Sequence, residues 1–178
     1  MAERVRDLTS NDVGMLQGLL ESVPDYAERI TGYPPGPSDA LSALISVPPE
    51  LDAANKHGIG LWEGDALVAF VDVLIGYPDA DAAHIGLLVV RGDRQGTGLG
   101  RELHNAILER VRTQSCVKRL RLGIVETNAA VAEPFWRSLG YLPTGQRKAY
   151  RYDQLISSVD LWERSVSALV ASNSDSPQ

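Results

Sequence analysis

The chain has 178 residues, 44% of them apolar, which is enough for one globular domain with a real core. Its 17 Lys and Arg against 23 Asp and Glu give a net charge of −6, so no general nucleic-acid partner is expected. The single Cys116 excludes an intramolecular disulfide and a cysteine metal cluster. No run of about 18 apolar residues is present to span a bilayer, and the opening MAERVRDLTSND lacks a signal core. The expectation is a cytoplasmic protein with no membrane partner and no metal.

Val5 to Leu8 reads as a short strand. Thr9 with Asp12 forms a capping-box-like start for a helix whose stripe is Val13, Leu16, Leu19, Leu20 and Val23, ended by Pro24. Prolines then break the chain as far as Pro49, with one short helix from Ser38 to Ser46 capped by Ser38. Gly58–Trp62 and Ala66–Ile75 read as strands joined by the turn Glu63-Gly64-Asp65. Tyr77-Pro78-Asp79 starts a loop that returns the chain to another strand at Ala83.

The densest signal lies between His84 and Val111. Ile85, Leu87, Leu88, Val89 and Val90 suffice for one buried strand; Gly92, Gly96, Gly98 and Gly100 then interrupt any regular pattern. Leu99, Leu103, Ala106, Ile107 and Val111 form one face of a helix, with Arg101, Glu102, Asn105, Glu109 and Arg112 opposite. The first turn of a helix has unpartnered N–H groups and partial positive charge, and glycines let an anion approach them. With Arg91, Arg94 and Arg101 around the turn, the order predicts a phosphate or pyrophosphate site from Gly96 to Arg101. The alternative is a turn that only reverses the chain. No Gly-Lys-Ser/Thr follows, so it is not a Walker A loop. The last glycine of a dinucleotide fingerprint would fall on Arg101, so it is not that loop either.

Further on, Lys118–Val125 alternates apolar Leu120, Leu122 and Ile124 with Arg119, Arg121 and Gly123. Strand, helix and strand at this spacing make a crossover with parallel strands. A second helix covers about Ala130 to Leu139 and stops at Gly140. Tyr141–Tyr152 reads as a strand, and Ser157–Glu163 as another, with a helix through Val170 as the alternative. The residues from Ser172 on, SNSDSPQ, read as a disordered tail, leaving 1–171 as a single domain.

Gln95-Gly96-Thr97-Gly98-Leu99-Gly100 resembles the Gln/Arg-x-x-Gly-x-Gly/Ala signature of the GNAT superfamily of acetyl-CoA-dependent N-acetyltransferases, and Val90 stands where that family closes its central strand with a valine. Ala132-Glu133-Pro134-Phe135-Trp136-Arg137-Ser138-Leu139-Gly140-Tyr141 resembles the family's second motif, Asn-x-x-Ala-x-x-Phe-Tyr-x-x-x-Gly-Phe. There are three departures. Asn128 lies one residue further from the aromatic pair than usual; Pro134 predicts a later helix start; and Trp136 replaces the tyrosine proposed to protonate the departing thiolate, which an indole N–H cannot do.

The resemblance implies an α/β (α+β) fold: a mixed six- to seven-stranded sheet with helices on both faces, splayed between two parallel central strands. Acetyl-CoA would be the co-substrate. Its pantetheine arm would pair with the backbone of Leu88, Val89 and Val90, and its pyrophosphate with N–H groups of Gln95, Gly96, Thr97, Gly98, Leu99, Gly100 and Arg101. Asn128 and Phe135 would also contact it. A backbone N–H near Leu88 or Val89 would polarise the thioester carbonyl. A primary amine, small molecule or peptide, would attack directly, in a pocket to which Asp25, Tyr26, Glu28 and Tyr33 are candidate contributors. An amine with a pKa near 10.4 arrives protonated, so a proton acceptor is needed. Asp72, expected on one strand face with Val68 and Phe70, and His84, on the central strand, are the catalytic candidates, with Glu126 third. The family often forms dimers, so a homodimer is among the expectations. Two rival classes are a CoA-binding sensor without turnover and a nucleotide-binding module.

Overall fold

A computed structural model describes residues 4–114 and 116–167. Seven strands, β1 (Val5–Asp7), β2 (Lys56–Glu63), β3 (Ala66–Ile75), β4 (Ala82–Val90), β5 (Arg119–Val125), β6 (Leu142–Tyr152) and β7 (Leu155–Ser165), make one sheet in the order β1-β2-β3-β4-β5-β7-β6. Only β4 and β5 are parallel; the other neighbours are antiparallel. The helices are α1 (Val13–Glu21), α2 (Pro24–Thr31), α3 (Asp39–Ile45), α4 (Leu99–Arg112) and α5 (Ala129–Ser138). The disordered-tail expectation for Ser172 onward lies outside the described residues. Among the described residues no helix is long and apolar enough to cross a membrane, and no group of His, Cys, Asp and Glu could hold a metal ion.

The α4 stripe buries Leu99, Leu103, Ile107 and Val111 on one sheet face, against Val71, Val73, Ile85, Leu120 and Leu122. At about 1.5–3 kcal/mol per fully buried aliphatic side chain, that face fixes the helix on the sheet. His104 and Leu108 are buried beside it, whereas Ala106 is only half-buried. The other face holds Leu16, Leu19 and Leu20 of α1 and Ala40 of α3 over Phe70 and Val89.

Two irregularities in the strands position everything that follows. Leu61 pairs with Ala69 and Trp62 with Leu67, so Val68 is an extra residue in β3. The bulge reverses the alternation. Val68 packs in the α4-side cluster, not beside Asp72 and Phe70 as a regular strand would place it. In β4, Leu87 pairs with Asp72 and Ile85 with Val73, which leaves Gly86 unpaired in a second bulge. Pairing of β4 with β5 stops at Ile85–Leu122, while β5 stays on β7 as far as Val125–Val159. Beyond Gly86 the two parallel strands therefore part.

Three local expectations are corrected. Pro24 does not merely end α1; it opens α2 as its first residue. There its missing N–H costs nothing, and Gly32 closes the helix at φ +83°. Ser38 sits at the N-cap of α3 without a side-chain cap bond. Pro134 does not delay α5, which begins at Ala129 and carries the proline in its second turn. The stretch 155–165 is strand, not helix, and the end of the helical alternative, residues 168–170, lies outside the described ones.

The capping box at the chain's start is present. The Asp12 carboxylate accepts the Thr9 N–H at 2.8 Å and two Arg6 guanidinium bonds at 2.9 and 3.1 Å. The Arg6 bonds, aided by the Thr9 N–H and hydroxyl, pull its pKa from the ordinary 3.8 to about 2. A depressed carboxyl pKa stabilises the fold above the unfolded value and loses that stability as pH falls through the folded one. Asp12→Ala is expected to cost about 1–2 kcal/mol in urea unfolding at pH 7. The gap to wild type should close as pH falls from about 4 to about 2.

Candidate active site

The parted strands open a cleft of about 470 Å³. One wall is Ile85–Val90 of β4, the other Leu122–Ile124 of β5, and the far end is the glycine-rich loop. All the residues assigned to acetyl-CoA line it except Thr97, whose hydroxyl donates to the Arg94 carbonyl instead.

The loop is held open by local chemistry. Gly96 and Gly98 sit at φ +74° and +90°, where side-chain-bearing residues are strained. Gln95 reaches back to donate to the Val90 carbonyl at 3.2 Å. Gly98 is the N-cap of α4 and provides no side-chain cap, so the first-turn N–H groups of a 14-residue helix face the cleft uncapped. A Cβ on Gly100 would lie 3.0 Å from the Phe135 ring; the glycine lets that ring pack against α4 while it also lines the cleft. Phe135 therefore serves packing and lining at once.

The arginines expected around the loop separate. Arg91 pairs with Asp93 at 2.6 Å and lies outside the cleft; Arg94 lines it but is paired with Glu63. Arg101 lines it and, among the described residues, meets neutral oxygens of Ser138 at 3.3 and 3.4 Å. The helix N-terminus and Arg101 are therefore the positive groups at this end that no carboxylate among the described residues matches.

Asn128 is buried in the cleft wall, and its Oδ1 accepts from Arg29 Nε at 2.7 Å. Thr127 donates to the Arg29 carbonyl, and Tyr150 of β6 to the Ile30 carbonyl at 2.7 Å. These bonds tie α2 across the open end of the V. Sequence reading missed Arg29 and Tyr150 because it missed α2; Pro24 followed eight residues later by Gly32 was the available signal.

Of the four acceptor candidates, only Tyr26 lines a cavity. Asp25 and Glu28 are exposed, and Tyr33 donates to Asp153 at the surface. Burial, reinforced by the charge of Asp72, holds the Tyr26 phenol above its ordinary pKa. The three proton-acceptor candidates also fall in different places. Asp72 is buried, ion-paired to an equally buried Lys56 at 2.8 Å, and its carboxylate lies where a Cβ on Gly86 would be, within 2.9 Å. Burial pushes its pKa up against the opposing pull of Lys56 and the Leu87 N–H. His84 lies before the split, still paired with Leu74 and Arg121, and neither it nor Asp72 lines a cavity. Glu126 is exposed and accepts from Ser158 at 3.0 Å. Trp136 is packed edge-on against Phe135, His104 and Tyr141, with a small part of its surface in the cleft.

Residues 23–141, more than half of the chain, match the model of the acetyltransferase (GNAT) family. The chain belongs to that family. Its fold is shared by an acetyltransferase from Thermus thermophilus at 25% identity, with a TM-score of 0.66 over 90% of this chain and 95% of that one. The ribosomal-protein-S18-alanine N-acetyltransferase of Escherichia coli is 18% identical, with a TM-score of 0.65 over 93% and 94%. An aminoglycoside 6'-N-acetyltransferase complexed with coenzyme A is 16% identical, with a TM-score of 0.64 over 93% and 98%. No curated protein matches the sequence.

Burial, with Arg121 and Lys148 nearby, pushes the pKa of His84 from 6.5 down to about 4. Between those values the unfolded chain binds a proton that the folded chain refuses, so stability falls as pH falls. Wild type should lose on the order of 2 kcal/mol more than His84→Asn between pH 7 and pH 4, read by denaturant unfolding. An equal loss in both would remove His84 as a source of the acid sensitivity.

Proposed function

We propose that the chain is an N-acetyltransferase that moves the acetyl group of acetyl-CoA to a primary amine. The observation that carries the reading is the uncapped, glycine-lined N-terminus of α4 opening into the cleft where β4 and β5 part. That end suits a pyrophosphate, which the helix N–H groups and Arg101 would hold. Leu88–Val90 pair with β3 on one side and have no β5 partner on the other, so their cleft-side edge is available to an extended, amide-bearing arm, as a strand edge is to a strand. Asn128 has its oxygen engaged by Arg29, which leaves its amide N–H₂ as the group available to a ligand.

In the reaction an amine nitrogen forms a bond to the thioester carbon while the carbon–sulfur bond breaks. The thiolate leaves with the electron pair and takes up a proton, and the nitrogen loses its protons to a base and solvent. A thiol pKa near 8.5 lets solvent protonate the sulfur, which suits a site with Trp136 and no tyrosine there. An N–H at Leu88 or Val89 would stabilise the developing oxyanion. Among the proton acceptors, placement favours Asp72. Like His84 it lines neither cavity, but its carboxylate lies against Gly86, which lines both, and burial raises its pKa.

Calorimetric titration with acetyl-CoA should give micromolar binding to wild type, weakened at least tenfold by the surface charge reversal Arg101→Glu. No binding to wild type would sink the reading, and tighter binding of ATP would favour the nucleotide module. With acetyl-CoA bound but no thiol released across varied amines, the non-catalytic CoA sensor would stand in its place.

Asp72→Asn is expected to lower kcat by about 10²-fold or more, with the acetyl-CoA Kd within threefold, while His84→Asn leaves kcat nearly unchanged. Because the single change leaves Lys56 buried and unpaired, the double variant Lys56→Met/Asp72→Asn separates folding from chemistry. A stable, fully active double variant would remove Asp72 from the mechanism.

A further inference from the structure

A second cavity of about 220 Å³ adjoins the cleft on the α1–α2–α3 side of β4. Leu20, Val23, Ala27, Ile30, Leu87 and Val89 form its apolar walls. Tyr26 and Gly86 line both spaces, as do Val23, Leu87 and Val89, so the two meet at the β4 bulge. A group held in the smaller chamber therefore faces the part of β4 that the thioester would reach. Polar groups on the chamber wall are few. The Thr31 hydroxyl already donates to the Ala27 carbonyl at 2.7 Å. Asp39, exposed at the rim, is the only charged residue in the lining, and one of its oxygens accepts the Gly36 N–H at 2.9 Å.

We propose that this chamber is the acceptor site and that it selects a small primary amine on a compact apolar body, of the arylalkylamine class. The proposal rests on the acetyl-transfer reading above. Size supports it: a dry cavity of roughly 150 Å³ holds a benzene ring, so 220 Å³ adds room for a two- or three-carbon arm. Chemistry supports it too. A polyamine or aminosugar would bring several ammonium and hydroxyl groups to walls that leave them unpaired, at about 1–3 kcal/mol each. A free amino acid would bring a carboxylate, and no cation lines the chamber; Arg29 lies in the cleft, bonded to Asn128. The Asp39 carboxylate at the rim suits an incoming ammonium.

The test measures CoA thiol release by the full chain with 2-phenylethylamine, spermidine, kanamycin, glycine and a peptide with a free N-terminal alanine. The expected result is a kcat/KM at least tenfold higher for 2-phenylethylamine than for the others. Ala27→Trp, which fills the chamber from α2 without touching the cleft, should raise the KM for that amine at least tenfold and leave the acetyl-CoA Kd within twofold. Ile30→Ala, which enlarges the chamber, should move the preference toward tryptamine. Normal acetyl-CoA binding with spermidine, kanamycin, glycine or the peptide preferred would overturn the acceptor class and leave the acetyltransferase reading intact. So would a KM indifferent to Ala27→Trp. Failure of acetyl-CoA binding would overturn both.

Discussion

Gly86 is one residue too many for the ladder between β3 and β4, and the carboxylate of Asp72 occupies the space its side chain would have needed. A bulge bends the strand that carries it, so β4 turns away from β5 just past Ile85 while β3 continues to hold it on the other side. The cleft is the result. Its depth comes from the separation of two strands that are hydrogen-bonded neighbours at one end and apart at the other. The ion pair of Asp72 with Lys56 stands behind the bulge, buried on both sides, and neither partner can be removed alone without stranding the other's charge. Any proton chemistry at Asp72 therefore takes place on a group that also supports the fold.

The glycine-rich loop depends on that separation. A helix N-terminus in the middle of a closed sheet face would need a side-chain cap; here the N-cap is a glycine with positive φ, and the first-turn donors face open space. Carboxylates hold Arg91 and Arg94, which leaves the backbone N–H groups of the helix end and the Arg101 guanidinium as the unmatched positive groups beside the loop. Phe135, set against Gly100, ties α5 to the same point, which explains why the second family motif follows the first in space though more than thirty residues separate them in sequence.

On the other side of β4, α2 buries its residues only in part, Tyr26 among them, yet it walls both cavities and is tied to the far side of the V through Arg29, Thr127, Asn128, Ile30 and Tyr150. Its position is set by hydrogen bonds across a gap. Substitutions on α2 can therefore reshape the smaller chamber while leaving the sheet and α4 as they are.

Local pattern alone determined much of this protein. The alternation in β5, the α4 stripe, the Thr9–Asp12 box and the Gly64 and Gly140 turns are each decided within a few residues, and the order strand, glycine loop, helix carried the family and the glycine-lined end of the cleft. Tertiary structure decided the rest, because it depends on pairing across the chain. Whether Val68 and Gly86 become bulges is set by β2 and β3, not by their own neighbours, and with them go the face of Val68 and the opening of the sheet. Asp72 and His84 looked alike as polar interruptions of apolar strands; only the register placed one against the bulge and left the other behind the split. Tyr26 was one of four equivalent loop residues until α2 folded across the V and turned that side chain, and not Asp25, Glu28 or Tyr33, into both cavities.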